Sequence, residues 1–123
     1  MKKILVTEAK IKDGKVIFHT QAYEGNASEL TPKGQILADS DQLSLVYILE
    51  NTEDFIYLSM PHSVWDTLHE ARKQEVDAAA VINGTEITLP HFYEELNALL
   101  VNIKDNANYG EDMERQVSES FAL

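Results

Sequence analysis

Three tight-turn signatures, each set between short apolar stretches, constrain this chain more than any other feature. Asp13-Gly14 and Asn83-Gly84 are residue pairs that tolerate the positive φ a two-residue hairpin turn demands. Asn51-Thr52-Glu53-Asp54 is a third turn-forming cluster. The first turn predicts pairs Ile11–Val16, Ala9–Phe18 and Thr7–Thr20. That register collects Leu5, Ala9, Ile11, Val16 and Phe18 on one face, and sets Glu8 across from His19 and Lys10 across from Ile17. A turn at Thr52-Glu53 pairs Leu49 with Ile56, Tyr47 with Leu58 and Leu45 with Met60. The other face of this middle ribbon carries Ile48 with Tyr57, Val46 with Ser59 and Glu50 with Phe55. It is apolar on both sides, the pattern of strands covered above and below. One small domain supplies few covering elements, so a neighbouring subunit is the expected second cover.

Between the ribbons the period changes from two to that of a helix. Pro61 ends the middle ribbon, and a helix is predicted over His62–Glu75, with Ser63-Val64-Trp65-Asp66 as its capping box. Val64, Trp65, Leu68 and Ala71 form its apolar stripe. Pro90 suits the first position of a second helix, whose Phe92, Leu96, Leu99, Leu100 and Ile103 recur at core-facing spacing. Asn108 is placed to cap a third, which carries Met113, Val117 and Phe121 on one side. Gln35–Ala38 reads as a short strand, and residues 21–34 as a connector or short irregular strand. The predicted architecture is α+β: antiparallel hairpins forming one sheet with three helices, as a single small domain over residues 1–123.

Composition narrows the function. Ten Lys and Arg stand against 21 Asp and Glu, a formal charge of −11. That balance argues against nucleic-acid partners, which need a basic stripe, and against docking on anionic membranes. The chain has no cysteine, which excludes disulfides, thiolate metal sites and thiol nucleophiles. Lys2 and Lys3 open it as in a signal peptide, but only Ile4-Leu5-Val6 follow before Thr7-Glu8. The expected location is therefore the cytoplasm. Charge is also split along the sequence: residues 1–33 hold six lysines against four acids, and residues 34–123 hold four cations against 17 acids. Such asymmetry can steer association between copies or with a basic partner. Its plainer reading is a solvated acidic surface.

Two groups of residues have the chemistry of a site. His62, Asp66 and His69 lie at i, i+4 and i+7 beside Glu70, so one helical face offers two imidazoles and a carboxylate to a metal. The same geometry places that face opposite the apolar stripe, hence in water, and no H-E-x-x-H is present. Asp39-Ser40-Asp41 is a D-x-D pair on a loop, fit for a hard cation or simply for an Asx turn. No nucleophile elbow, phosphate loop or dinucleotide fingerprint occurs. Trp65 reads as core, and Tyr109, within Asn106-Ala107-Asn108-Tyr109-Gly110-Glu111-Asp112, as a recognition residue or a neighbour of a helix start.

Segments Ala38–Asp41, Tyr47–Asn51, Pro61-His62, Leu68–Glu70 and Asn102…Glu111, in that order and spacing, resemble the YjbL-like family of small uncharacterised proteins from Bacillus, Staphylococcus and relatives. The resemblance implies a cytosolic protein of a Gram-positive bacterium and carries no activity, cofactor or site residue with it.

Two readings of function follow. The first is a non-enzymatic protein-interaction or regulatory module, self-associating or bound to a protein partner, with Val46, Ile48, Phe55, Tyr57 and Tyr109 as interaction residues. It needs no cofactor. The second is a small metal-dependent hydrolase built on His62, Asp66 and His69 or on Asp39 and Asp41.

Overall fold

Backbone conformation at the turns explains the outer ribbons. Asp13 (φ 53°) with Gly14 (φ 76°), and Asn83 (φ 50°) with Gly84 (φ 79°), all occupy the left-handed region, as a tight hairpin turn matched to strand twist requires. The computed structural model describes residues 2–123. Its seven strands are β1 (Lys2–Lys12), β2 (Lys15–Thr20), β3 (Thr31–Asp39), β4 (Ser44–Glu50), β5 (Phe55–Pro61), β6 (Asp77–Ile82) and β7 (Thr85–Thr88). Three α-helices accompany them: α1 (Trp65–Gln74), α2 (Phe92–Ile103) and α3 (Glu111–Ser120).

The strands form one sheet in the order β3-β4-β5-β1-β2-β6-β7. The middle ribbon pairs as its turn predicts, from Leu45↔Met60 to Glu50↔Phe55. The arrangement is α+β, but the sheet is mixed, which corrects the expectation of antiparallel hairpins alone. β1 runs parallel to β5 over Lys2↔Ile56 to Leu5↔Ser59, and β2 runs parallel to β6 over Lys15↔Asp77 to His19↔Val81. Turn chemistry dictates only the pairing inside each ribbon. How ribbons join edge to edge depends on long connections, which can return a strand in either sense.

A second correction concerns β1. Counting back from the turn pairs Thr7 with Thr20, whereas Val6 is the partner of Thr20, and the register shifts between Val6 and Glu8. One inserted residue turns everything before it to the opposite face. Ile4 and Val6 are therefore buried, and Leu5 stands 37% exposed instead of joining the core. Residues 21–34 divide: Asn26 caps a 3₁₀ turn over Ala27–Glu29, and β3 already begins at Thr31.

All three helices bury their stripes against one face of the sheet. Trp65, Leu68 and Ala71 of α1, the predicted five residues of α2, and Met113 and Val117 of α3 share a cluster with Ile4, Phe18, Tyr47, Leu58 and Ala80. The helix starts differ from the sequence expectations. Residues 62–64 wind as a 3₁₀ turn after Pro61, so α1 begins only at Trp65 and no side chain caps it; the Ser63–Asp66 capping box does not form. His91, in a left-handed conformation, precedes α2, leaving Pro90 outside the helix. Gly110 (φ 89°) precedes α3, while Asn108 lies in a 3₁₀ turn closed by Asn106.

Two side chains tie the edges of the sheet. The Tyr47 hydroxyl accepts from the Gly34 N–H at 3.1 Å and donates to the Pro90 carbonyl at 2.8 Å, joining β3 to the β7–α2 junction. Asn83 pairs with the backbone of Tyr23 like a strand, its Oδ1 accepting from N–H at 3.0 Å and its Nδ2 donating to C=O at 2.8 Å.

Candidate functional site

The sheet face opposite the helices gathers the predicted interaction residues of the middle ribbon. Across four strands, Leu37 pairs with Val46, Val46 with Ser59, and Ser59 with Leu5; one step along, Ile48 pairs with Tyr57 and Tyr57 with Lys3. Val46 and Ile48 are only 4% and 5% exposed, yet both lie outside the cluster under the helices. The single chain thus already covers these two residues, which corrects the expectation that a neighbouring subunit must do so. Water reaches residues further out instead: Leu37 is 42%, Phe55 54% and Leu5 37% exposed, and Tyr57 is half-buried. A depression of about 430 Å³ opens here, lined by Lys3, Leu37, Asp39, Asp41, Val46 and Tyr57. Two of its lining residues form an ion pair, Lys3–Asp39 at 3.4 Å, and a second pair, Lys33–Glu50 at 3.7 Å, joins β3 to β4 outside its lining. Exposed pairs of this kind contribute little stability. They do set fixed charges of both signs beside apolar surface.

Asp39 and Asp41 border this depression rather than forming a site of their own. One Asp39 oxygen accepts from the Gln42 N–H at 3.3 Å, closing the loop, and the other faces Lys3. Asp41 is exposed. Tyr109 is elsewhere, half-buried against the helix-side core in its 3₁₀ turn.

The residues of the predicted metal face do not converge. His62 is exposed and turns its ring edge-on to Trp65, with centroids 5.1 Å apart. Asp66 is exposed as expected, and Glu70 pairs with Lys73 at 3.0 Å. His69 corrects the expectation of a wet imidazole: it is half-buried, edge-on to Phe121 at 5.9 Å. An Arg72 guanidinium N–H faces its Nδ1 at 3.3 Å, while Arg72 Nε donates to Asn97 of α2 at 2.7 Å. Among the described residues no three His, Asp or Glu gather as a metal would need.

Burial lowers the His69 pKa from its ordinary value, and the positive charges of Arg72 and Lys73 push the same way against Glu70 and Asp66. The folded protein thus prefers the neutral ring. Unfolding restores a pKa near 6.5, so the unfolded chain binds more protons in the interval below it. The contribution of His69 to stability is complete above about pH 6.5 and is lost as pH falls from there through the lower folded value. Urea midpoints measured across this range should drop less in His69→Gln than in the unaltered protein. An identical drop in both would remove His69 from the account. His62→Ala should change stability by less than about 0.5 kcal/mol, as exposed substitutions do.

Sequence reasoning missed two tyrosines. Tyr47 was legible as core, but its hydroxyl bridge between distant segments has no local signal. The Tyr93 hydroxyl is buried without a hydrogen-bond partner, and burial beside Asp77 raises its pKa to about 12. It keeps its proton at any ordinary pH.

Among the described residues, no helix is long and apolar enough to cross a membrane. No solved structure matches the chain. A protein-family model, UPF0738, described as a family of unknown function, matches residues 4–121. Relatives named UPF0738 protein are 40% identical in Bacillus cytotoxicus, 38% in Bacillus cereus and 39% in Bacillus mycoides, each over 97% of both chains. They agree with the expected Bacillus grouping, and they bear the UPF0738 name in place of a YjbL-like one. By both measures the chain belongs to UPF0738, a family of unknown function.

Proposed function

We propose that this chain is a non-enzymatic protein-interaction module that docks its partner on the outer face of β3, β4, β5 and β1. One observation carries the reading: exposed Leu5, Leu37 and Phe55 and half-buried Tyr57 share the face opposite the helices with buried Val46 and Ile48. Contiguous apolar surface bordered by charges is the pattern of a binding face, whereas scattered single apolar residues are ordinary surface. Phe55 and Tyr57 supply the aromatic anchors that interfaces favour, and the ion pairs supply a polar rim.

The test is photo-crosslinking in cells. A photoreactive amino acid at position 37 should yield discrete crosslinked protein species. The same group at position 101, where Val101 is 74% exposed on α2, is the control and should yield none. Species from 101 and none from 37 would overturn the docking reading.

A further inference from the structure

We infer that the partner is a second copy of this chain, the two joined about a two-fold axis through the outer face of β3, β4, β5 and β1. This rests on the docking reading above and adds the identity of the occupant. The observation behind it is where the charge sits. The seven strands carry six lysines (Lys2, Lys3, Lys10, Lys12, Lys15 and Lys33) against five carboxylates. All other residues carry four cations against sixteen carboxylates. The formal charge of −11 therefore lies almost wholly in the helices and loops, and the strands are close to neutral.

That distribution discriminates between occupants. A basic protein is drawn to the acidic helices and loops, and nucleic acid is repelled by them. Two copies of a chain with charge −11 repel each other in most orientations, and a sheet-to-sheet approach keeps their acidic sides apart. The same face sets Val46 beside Leu37 and Ile48 beside Tyr57, with Leu5 beyond Ser59. Both signs of charge flank it in Lys3–Asp39 and Lys33–Glu50. A two-fold interface brings one patch against itself, so it requires a patch holding both members of each complementary pair. This one does. Re-pairing Lys3 with the Asp39 of the second copy exchanges one exposed ion pair for another at little cost.

The test is sedimentation equilibrium of the purified full chain at low and high salt. The unaltered protein should form a dimer, and salt should strengthen it. Raising ionic strength from about 0.01 to 0.15 M shortens the screening length from about 30 to 8 Å, which removes repulsion between acidic sides and leaves apolar contact intact. Leu37→Asp should weaken the dimer by about ten-fold or more, the size of effect an interface anchor gives. Phe55→Asp, at a second exposed position, guards against an effect peculiar to one variant and should act in the same direction. Val101→Asp makes the same chemical change outside the face and should leave association unchanged. A monomer at every concentration, weakening of the dimer by salt, or sensitivity to Val101→Asp but not to Leu37→Asp would each overturn the inference. If a monomer is found while position 37 crosslinks a different protein in cells, the docking reading stands and only the second copy falls.

Discussion

Trp65→Ala is expected to destabilise the protein by about 3–5 kcal/mol, the range for removing a fully buried large aromatic. Trp65 has no exposed surface; its indole N–H donates to the Met60 carbonyl at 3.0 Å and its ring lies 5.9 Å from that of Phe121. It thus holds the end of β5, the start of α1 and the end of α3 together. Deleting it leaves a cavity where three elements meet, so neighbours can close it only partly. A domain of ordinary stability, about 5–15 kcal/mol, loses a large share of its margin. Urea unfolding followed by far-ultraviolet circular dichroism checks this. Trp65→Phe should cost clearly less, since most of the volume stays and only the hydrogen bond is lost. A midpoint for Trp65→Ala near that of the unaltered protein would show that Trp65 does not tie these elements.

Tyr47→Phe removes one oxygen and should cost about 1–3 kcal/mol, the penalty for stranding buried polar groups. The ring keeps its place stacked on Phe92, with centroids 6.0 Å apart, so packing is barely altered. What is lost is the bridge from the Gly34 N–H to the Pro90 carbonyl. Burial raises the hydroxyl's pKa to about 12, so it serves as a neutral donor and acceptor throughout the working pH range. The local signature is hydrogen exchange. The Gly34 amide should exchange faster in Tyr47→Phe, while amides in the β6–β7 ribbon keep their protection. Unchanged exchange at Gly34 would mean the bridge contributes nothing to closing that edge. Gly34 is itself constrained: its φ of 66° suits glycine, and an added Cβ would lie 3.2 Å from His91 Cδ2.

The legible parts of the fold were those governed by neighbours in sequence. Asp13-Gly14 and Asn83-Gly84 forced their turns, and Phe92 to Ile103 announced a helix through spacing alone. The register of β4 against β5 followed from the cluster between them. Illegible parts depended on distant partners. Nothing near Thr7 marks the shift that exposes Leu5, because β1 changes neighbours there, from β5 to β2 alone. Ser63 carries a capping sequence, yet Pro61 commits the next residues to a tighter turn and the cap is not made. For the candidate site, the apolar outer face of Val46, Ile48 and Tyr57 was visible from alternation. Its rim residue Leu37 was not, since it enters from a strand whose start lay in an ambiguous stretch. His69 was misjudged as wet because helix periodicity knows nothing of Phe121 arriving from the chain's far end.

The position of β1 at the middle of the sheet has a kinetic consequence. Of the three ribbons, the one a ribosome makes first is also the one whose two flanks are filled last, by segments some 50 and 60 residues further along. Contacts of such sequence separation slow the search for the native state, because loops must close before any reward is gained. During synthesis the β1–β2 ribbon waits with two unpaired edges, an invitation to pair wrongly. Its lysines, four on β1 and one on β2, are the guard that such a wait calls for: mutual repulsion keeps nascent ribbons apart until β5 and β6 emerge to flank them.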